Sequence, residues 1–364
     1  MSSRRLPYID WLRGISVLIM IEAHVFDAWM RLPDRLLPSF KYARILAGWA
    51  APTFLFLAGL SLVMVMSRQL ATGGEARVVA RAGLRRGWKI FGLALLFRVQ
   101  SVLASGGTLR TLLKVDILNV MGLAMVTAAA VWSLGRTSWR KGVLLVAGAA
   151  GIAVVTPLVR LAGWPAPLPD ALEAYIRPVA GRATFTLFPW AGFVLVGGAV
   201  GLLMAHLADQ ARERRVMTWL AGVGAGAAAL GFGLSYLPSP YADSEFWTSS
   251  PAFFLLRCGV LLAALPGTWA LTPVLAATGS PAGRWLTKLG TSSLFIYWIH
   301  VEIVYGMISN PLHKRFSFNE TVLVYGVFVL AVYGMVLLKD NLLARWSGGD
   351  WFGTRTEPLR QVSS

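Results

Sequence analysis

The sequence predicts an all-α fold: a polytopic transmembrane helix bundle of about ten spans with both termini cytoplasmic. Three observations lead there. Of the 364 residues, 56% are hydrophobic and 14% charged, where an ordinary soluble domain carries roughly 25% charged residues. Mean hydropathy is +0.61, and apolar runs of about 20 residues, the length that crosses a bilayer, recur along nearly the whole chain. The bases outnumber the acids, 34 to 17, and gather in alternate short connections. That distribution makes the net charge of +17 a sign of membrane topology and argues against a nucleic-acid partner.

Apolar windows place spans near 10–30, 45–67, 88–104, 115–134, 142–162, 184–206, 216–236, 252–276, 292–310 and 321–339. Arg4 and Arg5 ahead of the first run resemble a signal peptide. Charges interrupt that run, however, and no small-residue cleavage site follows at the right distance, so it reads as a retained span. One set of connections holds Arg68, Arg77, Arg81, Arg85, Arg86 and Lys89, then Arg136, Arg140 and Lys141, then Arg212, Arg214 and Arg215, then Arg284 and Lys288. The opposite set includes 237–251, with Asp243, Glu245 and no base. The first connection is mixed, with Arg31, Arg35, Lys41 and Arg44. Residues 1–345 read as a single integral-membrane domain and 346–364 as a short polar cytoplasmic tail. The small-residue run 221–233, AGVGAGAAALGFG, reads as a close helix-packing surface. One cysteine, Cys258, leaves no internal disulfide, and four histidines scattered at 24, 206, 300 and 313 argue against a metal site.

The polar groups inside these spans carry the functional signal. Each charge at mid-bilayer costs at least about 2.5–3.5 kcal/mol, so such groups face a bundle interior or a water-filled cavity. In IDWLRGISVLIMIEAH (9–24), Asp10, Arg13, His24 and Asp27 fall on one helix face at about 100° per residue, with Glu22 roughly opposite His24. The plainer reading is an interfacial Asp10–Arg13 pair with His24 at the far interface. In TSSLFIYWIHVEIVYG (291–306), Ser293, Tyr297 and His300 share a face and Glu302 turns away; His300 is either a proton-handling group or a bridge between helices. In LLKVDILNVMGL (112–123), Asp116 and Asn119 stand at i, i+3. Arg98 and Arg257 are the expected counter-charges of Asp116 and Glu302, either structural or in contact with substrate. Arg77, Arg81 and Arg85, at i, i+4, i+8, make a basic face, suited to anionic lipid or to a phosphate-rich cytosolic ligand such as a coenzyme A.

Together the stretches YIDWLRGISVLIMIEAH, APTFLFLAGLSL, LFRVQ with LKVDILNVMGL, FTLFPWAGFVLVGGAVG and LGTSSLFIYWIH resemble the bacterial relatives of heparan-α-glucosaminide N-acetyltransferase. These belong with the wider membrane acyltransferases that O-acylate surface polysaccharides. The resemblance runs over roughly 5–310 and implies an enzyme of the bacterial cytoplasmic (inner) membrane. Such an enzyme carries an acetyl group from cytosolic acetyl-CoA to a sugar amine or hydroxyl on the far side, with no metal. Asp10, Arg13 and His24 match the first-helix motif and His300 the late-helix histidine, so these four are the candidate catalytic residues. No histidine stands between 25 and 205, where the lysosomal member has one after its first span, and His24 is the nearest candidate.

Acyl transfer from a thioester needs a deprotonated acceptor, a stabilised oxyanion and exclusion of water. The expectations are therefore His24 as general base or transient acyl carrier, with Asp27 one turn away orienting its imidazole. Arg13, with Arg77, Arg81, Arg85, Arg86 and Lys288, is the candidate coenzyme-binding set. Asp27, Asp116, Asn119 and Tyr297 are candidates for the glycan or sugar acceptor. The rival expectations are a proton-coupled small-solute transporter or channel, and a catalytically silent scaffold.

Overall fold

The computed structural model describes residues 5–345 apart from 106–108, 184, 208, 243, 278 and 279, so Asp243 and the tail at 346–364 lie outside the described residues. Those residues are helical and form no strand. In chain order the helices are α1 (Pro7–Trp29), α2 (Pro38–Ala47), α3 (Ala50–Ala71), α4 (Ala76–Ser105), α5 (Leu109–Leu112) and α6 (Ile117–Leu134). There follow α7 (Ser138–Leu161), α8 (Asp170–Ile176), α9 (Leu187–Ala205), α10 (Gln210–Leu234) and α11 (Pro251–Ala270). The last described helices are α12 (Thr272–Leu275), α13 (Pro281–Thr291), α14 (Ser293–Tyr305) and α15 (Phe318–Arg345).

Seven helical stretches are long and apolar enough to cross a membrane: 38–71, α6, α7, α9, α10, α11 and α15. The other three expected spans coincide with α1, α4 and α14, each short of that standard for a physical reason. In α1 the charges Asp10, Arg13, Glu22 and Asp27 interrupt the apolar run, and the first half of the 30-residue α4 is the basic stretch. The ninth expected span, 292–310, is helical for less than its length: α14 is 13 residues long and gives way after Tyr305 to a 3-10 turn at Met307–Leu312.

α1 is the central element, and its Asp10, Arg13 and Glu22 are turned toward protein. Its first turns, through Tyr8, Ile9, Trp11 and Leu12, belong to a core shared with α3, α6, α7 and α9. Its remainder, through Val17, Ile21, Val25 and Trp29, packs into a second core with α13, α14 and α15. Lipid tails are as apolar as leucine, so helices here associate through close van der Waals packing at small residues. α3 and α9 approach so closely at Gly59 and Gly197 that a Cβ on either would overlap a carbonyl of the other helix. The 221–233 run behaves as its composition predicts: a Cβ on Gly224 would stand 2.7 Å from the Gly259 oxygen and 2.8 Å from the Ala263 nitrogen of α11.

On the side where α1 ends, the connections are tied together. Arg31 donates to the Phe316 carbonyl (2.9 Å). Asp34 accepts from Arg31 Nε and from the Phe318 amide, both at 2.7 Å. The Arg31 hydrogen bond holds the Asp34 carboxyl below its ordinary range.

Candidate active site

A cavity of about 790 Å³ runs along one face of α1, walled by α3, α4, α6 and α14. Arg13, His24 and Asp27 all line it, as the helical spacing predicts. With about 1.5 Å of rise per residue, the arginine and the histidine stand about 16 Å apart along the helix axis.

At the Arg13 end the guanidinium donates to Ser61 Oγ (2.9 Å) and pairs with Asp10 (3.3 Å). Asp10 also takes Arg5 at 2.9 Å, so its place is behind Arg13 and not in the cavity wall. Arg86 of α4 lines the same end. Arg77, Arg81 and Arg85 are exposed and outside the lining, because a four-residue spacing holds them on a different face of α4 from Arg86. Lys288 pairs with Asp340 of α15. Of the basic residues expected to bind a coenzyme, Arg13 and Arg86 line the cavity.

At the other end, two histidines far apart in sequence meet. His24 Nδ1 and His300 Nε2 are 2.8 Å apart, and the rings stack with centroids at 5.0 Å. His300 is fully buried, and its Nδ1 lies 2.7 Å from the Ile296 carbonyl. A carbonyl only accepts, so His300 Nδ1 carries the hydrogen and, in the neutral ring, Nε2 is a lone pair. His24 Nδ1 then donates to it, and His24 Nε2 is left as an unprotonated nitrogen on the ring that lines the cavity. The order of partners is carbonyl, imidazole, imidazole, with each ring's tautomer fixed by the next group.

Asp27 is placed otherwise than expected. It receives the Tyr305 hydroxyl (2.9 Å), and Arg35 reaches both its carboxylate (3.3 Å) and its main-chain carbonyl (2.5 Å); Lys314 also donates to that carbonyl. The partner at His24 Nδ1 is His300 and not Asp27, and Asp27 serves as a junction of α1, α14 and two connections. The Tyr305 ring meets His24 edge-on at 5.7 Å. Sequence reasoning missed Tyr305 because its position at a helix end reads as an ordinary interfacial aromatic. Ser61 escaped notice because nothing local distinguishes a serine in an apolar run.

The side wall holds the third cluster. Arg98 Nη2 binds Asp116 Oδ2 at 2.7 Å, as expected, and the Tyr297 hydroxyl reaches the same oxygen at 3.5 Å. Asp116, however, also caps α6 in a reciprocal capping box with Asn119. Asn119 is 1% exposed and committed to that cap and to Tyr175 (3.4 Å), so it does not line the cavity. The other expected pair does not form. Arg257 stacks over the Phe253 ring at 4.2 Å, while Glu302 lies against Ser101 and Arg98 of α4. Glu302 and Arg257 sit on helices whose docking the sequence does not specify. Ser293 and Tyr297 line the cavity as the shared face predicts. Among the described residues no cluster of metal-ligating side chains occurs.

Residues 5–232, well over half of the chain, match the family described as heparan-alpha-glucosaminide N-acetyltransferase, catalytic. No curated protein matches the chain.

Proposed function

From the premise that the chain belongs to the heparan-α-glucosaminide N-acetyltransferase catalytic family, membrane-embedded acetyltransferases that act on glycans, we propose that it moves an acetyl group from cytosolic acetyl-CoA to an amine or hydroxyl of a sugar in an envelope or extracytoplasmic glycan. The bilayer holds it by ten spans, α1, α4 and α14 joining the seven apolar stretches, with both termini on the cytoplasmic side of the inner membrane. The observation that carries the reading is the His24–His300 contact at 2.8 Å on the wall of a large cavity.

The donor enters from the end with the basic connections. Arg13 and Arg86 take coenzyme phosphates, to which guanidinium forks are matched, and the extended pantetheine arm spans the distance to His24. There His24 Nε2 takes the proton of the acceptor N–H or O–H as that atom bonds to the thioester carbonyl carbon. Collapse of the tetrahedral species breaks the C–S bond, and the proton passes from His24 to the departing thiolate. In the two-step variant His24 Nε2 itself bonds the acetyl carbon as the C–S bond breaks and the coenzyme leaves as thiolate; the acceptor then displaces the imidazole, and its proton passes to that thiolate. In both variants His300 accepts the Nδ1 hydrogen and holds the ring in its reactive tautomer; Tyr297 and the Arg98–Asp116 pair flank the acceptor. Nothing in the family match favours a transporter.

The test joins two measurements: coenzyme A release by the purified protein with acetyl-CoA and glycan acceptors, and mass spectrometry of envelope glycans from cells with and without the gene. An acetyl mass on one sugar that disappears with the gene is the expected result. Unchanged glycans, together with no measurable coenzyme A binding, would overturn the reading.

A further inference from the structure

Glu22 is the α1 charge that the proposed reaction does not use. It points away from His24, yet it does not face lipid. It is 7% exposed and lines a second cavity of about 230 Å³ between α1 and α2, with Phe26, Arg35, Phe40 and Arg44. Two buried polar atoms here have no hydrogen-bond partner: Glu22 Oε2 and Arg35 Nε. An unpaired buried carboxylate oxygen is costly, and a retained one marks a place where a ligand's donor belongs. The small cavity also adjoins the large one, since Ala23, Asp27 and Ala47 line both. Ala23 is the residue between Glu22 and His24.

We infer that this pocket is a second sugar subsite, holding the unit of the acceptor glycan next to the one that receives the acetyl group. The inference rests on the acetyltransferase reading above. Its chemistry follows from the walls. Two carboxylates, Glu22 and Asp27, face two guanidinium groups, Arg35 and Arg44, so the pocket carries no net charge and is matched to a neutral unit. Glu22 Oε2 offers an acceptor and Arg35 Nε a donor, the complement of neighbouring hydroxyls that each donate and accept. Phe26 and Phe40 supply apolar surface for the C–H face of a pyranose. The volume lies below the roughly 300–1,000 Å³ of usual small-molecule sites, room for one ring. Because the two cavities adjoin across Ala23, next to His24, an acceptor chain laid across Ala23 would place one unit in each.

Binding to the full-length protein in nanodiscs, followed by saturation-transfer NMR without acetyl-CoA, tests this separately from catalysis. The probes are methyl α-D-glucosaminide and a disaccharide that adds one neutral glucose unit to it. The disaccharide is expected to bind the wild type about tenfold more tightly, the gain of one or two hydrogen bonds to charged groups. Glu22→Gln, close to isosteric, and Arg44→Gln, on the exposed side, should each bring the affinity ratio of the two sugars toward one. Unfolding midpoints confirm that the variants fold. Equal wild-type affinities, or a ratio that neither variant lowers, would overturn the subsite. If the disaccharide preference is present but no acetyl transfer occurs, the subsite stands as a sugar site and the acetyltransferase reading falls.

Discussion

α1 and α14 on one hand, and α10 and α11 on the other, are held in the helix bundle in opposite ways. The first pair is interrupted by ionisable groups, and three of those on α1 meet another element: His24 with His300, Asp27 with Tyr305, Arg13 with Ser61. The second pair is held by glycines whose backbones nearly touch, Gly224 against Gly259, with Cys258 buried and Arg257 resting on aromatic rings. Charge in a span is tolerated where a partner or a cavity takes it; small residues occur where two backbones must meet. The proposed chemistry lies in the first region, and close backbone packing in the second.

The comparison breaks if chemistry does not depend on the first region. His24→Ala should lower turnover by about 10²–10⁴-fold, the range of a lost general base, in protein of unchanged unfolding temperature, read as coenzyme A release. His300→Leu should cost on the order of 10–100-fold, as partners that fix a functional imidazole do. Added to His24→Ala it should cost almost nothing more, since residues acting as one unit are not additive; a full additive loss would separate the two histidines. Gly259→Leu should act on the second region alone. Overpacking there costs about 1–3 kcal/mol, seen as a lower melting temperature with turnover per folded molecule retained. The smallest effects sharpen the first region's boundary. Arg13→Gln should raise the KM for acetyl-CoA about tenfold, roughly 1.4 kcal/mol, while Arg81→Gln, exposed and away from the cavity, should change it less than about twofold.

Much of the fold was legible in the sequence because its signals are local. Run length marks helices that cross a bilayer, and all ten expected spans coincide with helices, although α1, α4 and α14 fall short of the length and apolarity of the other seven. Helical periodicity foretold that Arg13, His24 and Asp27 would share a wall and that Glu22 would not. It foretold less where one residue type serves two purposes. Asp116 and Asn119 read as substrate groups and are also a helix cap, since Asp and Asn are favoured at helix starts for reasons unrelated to ligands. Arg77, Arg81 and Arg85 read as a landing face, yet Arg86, off that periodicity, is the α4 base at the basic end of the cavity.

The sequence by itself determined that this chain is a bundle of membrane helices and which face of α1 is polar, because both follow from composition and from the geometry of a single helix. Only the tertiary structure decided that His24 would meet His300, 276 residues away, that Lys288 would be taken by Asp340, and that Glu22 would line a pocket of its own. Those choices depend on which helices dock and at what depth. In a bilayer, docking is set by apolar and small side chains that look alike in sequence and become distinct only when packed.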